Sequence, residues 1–546
     1  MSLYNRSSLI QVPSLYKDGT LVSTIPEDRS GDFTVVRGSN LSATRVGEDG
    51  YIKKGYENLL LQSNTFTDAT WAKTGLTFTS GQSGYDGSND AWLIEKDANG
   101  YRPLAQNISA SGVNTFSVYL KAGTLTEVTI VIFRTGLSDP QLSVDLSQGT
   151  ISPQAPYIDS SIISLGNGWY RVTGTIDGTI YRTSIYADIG VSVAGSIYIQ
   201  DAQLNQGLVA YPYLETTTAP VQGGLLENTP RLDWSNGVPA VKLEEGSTNL
   251  IVQSEYLGSN WNYYKTNYES NITTSPEGLT NAAKVVANTS LENHYFERIG
   301  YTGFTSGNYT YSFFAKSAGS DFVQIATSTG FDSRYQNFNL TTGTKASGDA
   351  DLSGYDTSIT PIGDDGWYRV TITANAPSTS VRFLIVPILT DAGRNPIFAG
   401  DGTSGVYIYG AQMEQDATYP TSYIPTYGTS QTRGSETISD NFNIPTTATI
   451  YNSFYSDVAE TVFVLDQVFD VVEGLNKVAI AFSPTAVKIS VGGSIVANAT
   501  GTYDTTALSN IQLGSNNGTD YSNAPISGFY VFPEFLTDEE LNSLTA

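Results

Sequence analysis

Five residues, Gly168-Trp169-Tyr170-Arg171-Val172, return 198 positions later as Gly366-Trp367-Tyr368-Arg369-Val370. A motif repeated at that distance is the mark of one structural unit written twice. The alternation in Tyr170-Arg171-Val172-Thr173 has a period of two, which predicts a strand with Tyr and Val on one face and Arg and Thr on the other. The preceding Gly marks the turn into that strand. Trp169 and Trp367 read as core or rim aromatics that fix it, with sugar stacking as the alternative for an exposed ring.

Aligning the chain on this motif pairs Gln62-Ser63 with Gln253-Ser254, Trp71 with Trp261, Lys121 with Lys316, and Ala202-Gln203 with Ala411-Gln412. The offset is 191 at Gln62, 198 at Trp169 and 209 at Gln203. The larger slip falls around residues 390–403, which hold Asp391, Arg394 and Asp401. A loop lengthened in one copy is a place for a specific contact, because loops tolerate insertion and carry recognition. A neutral insertion or a subunit contact is the other reading.

The runs between these landmarks are short and alternating, such as Thr115 to Leu120 and Glu127 to Ile132. With aromatics at 12%, charged residues at 15% and 52 Gly in 546 residues, the composition is that of an all-β protein. Residues 1–50 read as an attachment or strand-donating segment. Residues 51–216 and 247–427 read as tandem jelly-roll β-sandwiches, 217–246 as an ordered linker, and 428–546 as a further sandwich. Trp234 in the linker argues against a floppy tether, since a large apolar ring packs onto a neighbouring domain. In the last region Gly492-Gly493 predicts a hairpin turn, and Thr537 with Glu540 predicts a capping box that starts a short helix.

A net charge of −25 opposes nucleic acid and anionic membranes, so no nucleic-acid partner is expected. Neither a signal peptide nor a spanning segment of ~18 apolar residues is visible, so no membrane insertion is expected. With no Cys and one His, cysteine nucleophiles and His-cluster zinc sites are ruled out, and no Gly-x-Ser-x-Gly elbow or phosphate-binding Gly-rich loop occurs. His294 is therefore not expected to be catalytic. Paired carboxylates carry no signal among 53 acids. Structural calcium is the one cofactor with any support. Asp349-x-Asp351-x-Ser353-Gly354 matches half a calcium loop, but Thr360 stands where a bidentate Glu belongs. Asp201 is the better calcium candidate, although its counterpart in the second copy is Gly410. Arg29, Arg37 and Arg45 concentrate positive charge near the N-terminus and suggest docking onto an acidic partner subunit, with local pairing to Asp and Glu as the alternative.

These motifs resemble a family of tailed-bacteriophage virion proteins. The resemblance rests on Met1 to Arg6, on Phe33 to Val46, on Thr229 to Asp233, and on both Gly-Trp-Tyr-Arg-Val motifs. It also rests on Ala411 to Glu414 and on Tyr423 to Thr426. The last region is similar to a laminin-G or concanavalin A-like sandwich, ending in Leu536 to Leu541. At about 120 residues it is short for that family, so strands from residues 20–50 or 222–245 are expected to complete it.

The resemblance implies a structural protein on the virion surface, assembled with capsid, collar or tail proteins, with modules similar to carbohydrate-binding jelly rolls. The expectation is a non-enzymatic fibre or appendage subunit, a homotrimer, presenting loops to bacterial surface glycan. Trp71, Trp92, Trp261, Asp391, Arg394 and Asp401 are the candidate sugar contacts. The alternatives are an architectural head-fibre, collar or decoration protein and, more distantly, a glycan depolymerase.

Overall fold

The computed structural model describes residues 2–13, 16–17, 19–38, 41–298, 305–328, 331–376, 381–456, 460–505, 511–514 and 524–546. The fold is all-β, built of β-sandwiches. Among the described residues the helical elements are the short turn Tyr4–Arg6 and the helix Asp538–Thr545.

Each repeat is a jelly-roll-like sandwich of two six-stranded antiparallel sheets. In module 1 the front sheet runs Thr150–Pro153, Gln141–Asp145, Glu127–Arg134, Ile180–Ala187, Pro103–Ala110, Trp71–Lys73. The back sheet runs Asp159–Gly166, Trp169–Asp177, Val113–Ala122, Gly195–Gln206, Ala91–Lys96, Leu76–Gln82. Module 2 repeats both orders, with Phe322–Thr327 and Phe383–Ile388 at the centre of its front sheet and Gly307–Ala318 and Gly405–Gln415 at the centre of its back sheet. Period-two patterning closes the cores: Val128, Ile130 and Ile132 point inward against Phe116, Val118 and Leu120, as Val323 and Ile325 do against Tyr311 and Phe313.

The residues the two copies share form a latch. Asn58 donates from Nδ2 to the carbonyls of Ala202 (3.2 Å) and Leu214 (2.8 Å), and Asn249 does the same to Ala411 (3.1 Å) and Ile424 (2.8 Å). Gln203 Oε1 accepts from the Leu214 N–H and Gln412 Oε1 from the Ile424 N–H. These bonds satisfy the buried backbone of the segment leaving each module and hold it across the back sheet.

The third sandwich is assembled from pieces distant in sequence. Its larger sheet places Arg231–Asp233 and Ala240–Lys242 beside Ile526–Phe532, Ala448–Ser456 and Gly474–Ser483, and Leu9–Gln11 also pairs with Ile526–Phe532. Its smaller sheet takes Thr20–Leu21 and Phe33–Val36 beside Thr437–Asp440 and Ile511–Leu513. Strands from residues 20–50 and 222–245 thus complete this sandwich, as expected. The hairpin within residues 217–246 is an edge of the larger sheet, and Leu9, Leu21, Phe33 and Val35 of the strand-donating N-terminal segment lie in the same core as Ile438, Val487 and Phe529. The Gly492-Gly493 turn joins Ala486–Val491 to Ser494–Thr500, both glycines having positive φ, and Thr537 caps the helix through the Glu540 backbone N–H.

Two buried ionic clusters weld these parts. Arg231 is bonded to Glu436 and lies 2.9 Å from Glu244, Arg433 lies 3.2 Å from Glu244, and Arg37 lies 3.1 Å from Glu436. Burial opposes ionisation of Glu244, but Arg433 and Arg231 outweigh it and hold the carboxyl well below the usual range. In the second cluster Lys54 contacts Glu255 at 2.8 Å, Glu277 at 3.0 Å and the Tyr427 hydroxyl at 2.8 Å.

Candidate functional site

Most of the predicted contact residues are structural. Trp71 is 2% exposed and Trp261 6% exposed, and each indole N–H donates to a backbone carbonyl, of Gln62 and Gln253, at 3.0 Å. Neither ring has a free face for a sugar. Trp92 is half-buried, donates to the Asn64 carbonyl at 2.8 Å and packs edge-on to Phe78. The repeated motif is likewise architectural. Trp169 and Trp367 are buried, Arg171 stacks on Tyr119 and donates to the Tyr211 carbonyl, and Arg369 stacks on Phe314 and donates to the Thr421 carbonyl.

The N-terminal arginines separate. Arg37 is fully buried in the ionic cluster, and Arg45 donates to the Leu232 carbonyl at 2.7 Å. Docking of Arg37 onto a partner subunit is thus corrected to pairing within the chain; Arg29 stays exposed, in a turn.

Asp201 occupies the left-handed position of a bulge in strand Gly195–Gln206, with φ 51°. Its carboxyl accepts from the Tyr85 hydroxyl at 3.0 Å. Burial raises its pKa to about 7, helped by the nearby charges of Asp90 and Asp86. A calcium ion there would have to displace the hydroxyl donor, and among the described residues no three acidic, His or Cys side chains are gathered to hold a metal. Asp349 and Asp351, the half calcium loop, both pair with Arg334, at 3.0 and 3.3 Å. His294 is buried, with its ring nitrogens 2.6 Å from the Lys265 carbonyl and 2.8 Å from the Phe398 carbonyl.

That contact with Phe398 explains the lengthened loop. Residues 391–398 do not project; they fold down across the outer face of the module 2 front sheet. Asn337 donates to Asp391 Oδ1 (2.7 Å) and to the Ala392 carbonyl (2.6 Å). Gln324 donates to the Gly393 carbonyl and accepts from the Asn395 N–H, and Arg394 donates to the Thr327 carbonyl at 2.6 Å. Phe398 then packs against the outward cluster of Ala326, Leu384, Val386 and Ile388. Asp391 and Arg394 are therefore anchors of a strap, a role that only buried Gln and Asn on an outer face could have signalled. Asp401 accepts from the N–H groups of Thr403 and Ser404 in a tight exposed turn.

In module 1 the corresponding connection spans only residues 188–194, too short for a strap like that of module 2. Ile185 and Ala187 face the core, so Arg182, Ser184 and Tyr186 face outward, beside Thr129, Val131 and Phe133 of the neighbouring strand. Tyr181, at a bulge, is 46% exposed and its ring centroid lies 5.9 Å from that of Phe133. Arg182 lies over Phe133 at 5.6 Å and donates to Ser184 Oγ at 3.2 Å. Small residues form the floor and two tyrosines, a phenylalanine and a guanidinium form the sides, a surface able to stack on sugar rings and donate to hydroxyls.

No family model matches the chain, and no curated protein matches it. Among solved structures, the N-terminal tandem CBM22-1 and CBM22-2 domain of Xyn10C from Paenibacillus barcinonensis is similar, with 11% sequence identity and a TM-score of 0.24, over 70% of this chain and 100% of that one.

Proposed function

We propose that the chain is a non-enzymatic surface protein of a bacteriophage particle, a fibre or appendage subunit that holds bacterial surface glycan on the front sheet of module 1. The observation that carries this reading is the asymmetry between the copies: Tyr181 is exposed and Phe133, Arg182 and Tyr186 are half-buried around a floor of buried Thr129, Val131 and Ser184, whereas the equivalent face of module 2 is crossed by its own loop. The bacteriophage assignment comes from the sequence resemblance. Shallow sugar contacts of this kind gain strength when several copies act together, which suits a homotrimer. A second reading, an architectural head-fibre or decoration protein, is favoured by the closed face of module 2, which serves packing alone.

The test is binding of the purified chain to intact host cells and to their extracted surface glycan. Saturable binding weakened at least tenfold by Tyr186→Ala or Arg182→Ala, with no release of reducing ends, is the expected result. A folded protein that binds no glycan would leave the architectural reading, and released reducing ends would make it a depolymerase.

A further inference from the structure

A further concavity lies apart from that face. It is a cleft of about 1470 Å³ where module 2, the turn at residues 47–51, the hairpin carrying Trp234 and the third sandwich meet. Pockets for compact ligands have volumes of ~300–1,000 Å³, so this one is sized for a chain of several units.

Three features of its lining bear on what it takes. Trp234 is the half-exposed ring of the turn between Arg231–Asp233 and Ala240–Lys242, and its backbone N–H donates to the Val46 carbonyl at 3.1 Å. That bond fixes the ring's place, while its indole N–H has no partner among the described residues. A smaller hollow of about 450 Å³, lined by Arg45, Lys53 and Trp234, continues on from it.

The floor is the outer face of the module 2 back sheet, where Ser358 and Thr371 sit directly opposite each other. Their equivalents in module 1, Ser161 and Thr173, bond to each other at 2.7 Å. In module 2 that bond is absent, and the Thr371 hydroxyl, on a residue 3% exposed, has no partner among the described residues. Arg369 Nε is also unpartnered among the described residues, although its two terminal nitrogens donate to the Thr421 carbonyl and to Ser312 Oγ. Buried polar groups without partners are costly, and these two lie just beneath the surface of the cleft floor, next to Ser358.

The rim supplies the charge. Glu48, Asp49, Asp356, Asp364, Asp365 and Glu473 line the opening, against Arg45 and Lys242. On a chain of net charge −25, such a mouth repels anions.

We infer that this cleft is a second carbohydrate site, which takes an uncharged oligosaccharide with one sugar ring on Trp234 and its hydroxyls over the floor at Ser358, where a small side-chain rotation brings the Thr371 hydroxyl into reach. It shares the ligand class of the proposed function but none of its residues, and the two stand or fall separately. The ring face supplies apolar contact to the axial hydrogens of a sugar, and the floor supplies neutral donors and acceptors. Acidic glycans such as uronate polymers are excluded by the rim.

The experiment titrates the full chain with two panels of bacterial surface oligosaccharides, one uncharged and one uronate-bearing, by calorimetry. An uncharged ligand is expected whose affinity falls at least tenfold in Trp234→Ala and severalfold in Thr371→Val, is retained in Trp234→Phe, and is unaffected by Tyr186→Ala. Matching melting temperatures for Trp234→Phe and the natural chain guard against misfolding. Binding lost in Tyr186→Ala but intact in both Trp234→Ala and Thr371→Val would overturn the cleft and keep the first site. Absence of any Trp234-dependent binding across both panels, or Trp234-dependent binding only to uronate-bearing chains, would overturn the inference.

Discussion

Asp201 and Gly410 occupy one structural position, the left-handed residue of the same bulge in the two modules, with φ 51° and 60°. In module 2 the space is closed: a Cβ on Gly410 would lie 3.0 Å from Phe314 Cδ2 and 3.1 Å from the Tyr423 ring. Gly410→Ala is therefore expected to destabilise the fold by about 2–4 kcal/mol, from left-handed strain plus overpacking, measured by denaturant unfolding.

At Asp201 the module 1 core accommodates a buried side chain, and the difference is ionic. The unfolded carboxyl ionises near 3.8 and the folded one near 7, so ionisation penalises the native state increasingly across that window and by a constant amount above it. Asp201→Asn keeps the left-handed geometry and removes the charge. It should leave stability unchanged near pH 4 and raise it at pH 8 by on the order of a few kcal/mol, since each tenfold change in the ionisation equilibrium is worth ~1.4 kcal/mol. Denaturant unfolding at the two pH values checks this. A calcium-dependent rise in melting temperature seen in the natural chain and absent from Asp201→Asn would instead give the carboxylate to the ion.

Trp261 sits against Phe296 in the module 2 core and bonds to Gln253. Trp261→Ala should cost about 3–5 kcal/mol of stability, and Trp71→Ala a similar amount. Once the variants are compared at temperatures where both fold, their glycan affinity should match that of the natural chain. A selective loss of affinity in a stable variant would return these rings to the surface.

Glu244 is ionised between Arg231 and Arg433 with its pKa depressed, so the stability it contributes is complete above the unfolded value of 4.5 and is lost as pH falls through the folded one. The natural chain should lose melting temperature on acidification below about pH 4.5. Glu244→Gln should flatten that dependence and cost about 3–5 kcal/mol at pH 7, because buried Arg433 loses its carboxylate partner and buried Arg231 keeps only Glu436.

The repeat, the strand class, the Gly-Gly hairpin and the capped helix were all legible because each is written in neighbouring residues. The shortness of the last region showed that strands from residues 20–50 or 222–245 must complete the third sandwich, but not the pairing of Phe33–Val36 with Thr437–Asp440 or of Ala240–Lys242 with Ile526–Phe532, because period-two patterning names a face and not a partner strand. The offset between copies located the extra loop at Asp391 to Asp401 but not its direction. Its anchors, Gln324 and Asn337, lie on strands more than 50 residues earlier. Trp234 was visible as an odd ring in a polar stretch, yet the cleft it faces is formed by four separate parts of the chain.

The strap yields the last prediction. Asn337 holds it with two hydrogen bonds, so Asn337→Ala should release residues 391–395 at a cost of about 1–3 kcal/mol. Arg394, whose guanidinium is tied to the Thr327 carbonyl, would then become available to trypsin. Cleavage after Arg394 should be slow in the natural chain and faster by tenfold or more in the variant, in proportion to the opening equilibrium. The apolar patch of Leu384, Val386 and Ile388 beneath it would be uncovered, which should appear as increased binding of a hydrophobic dye. Equal cleavage rates in both proteins would mean that the strap is held by Gln324 and the packing of Phe398 rather than by Asn337.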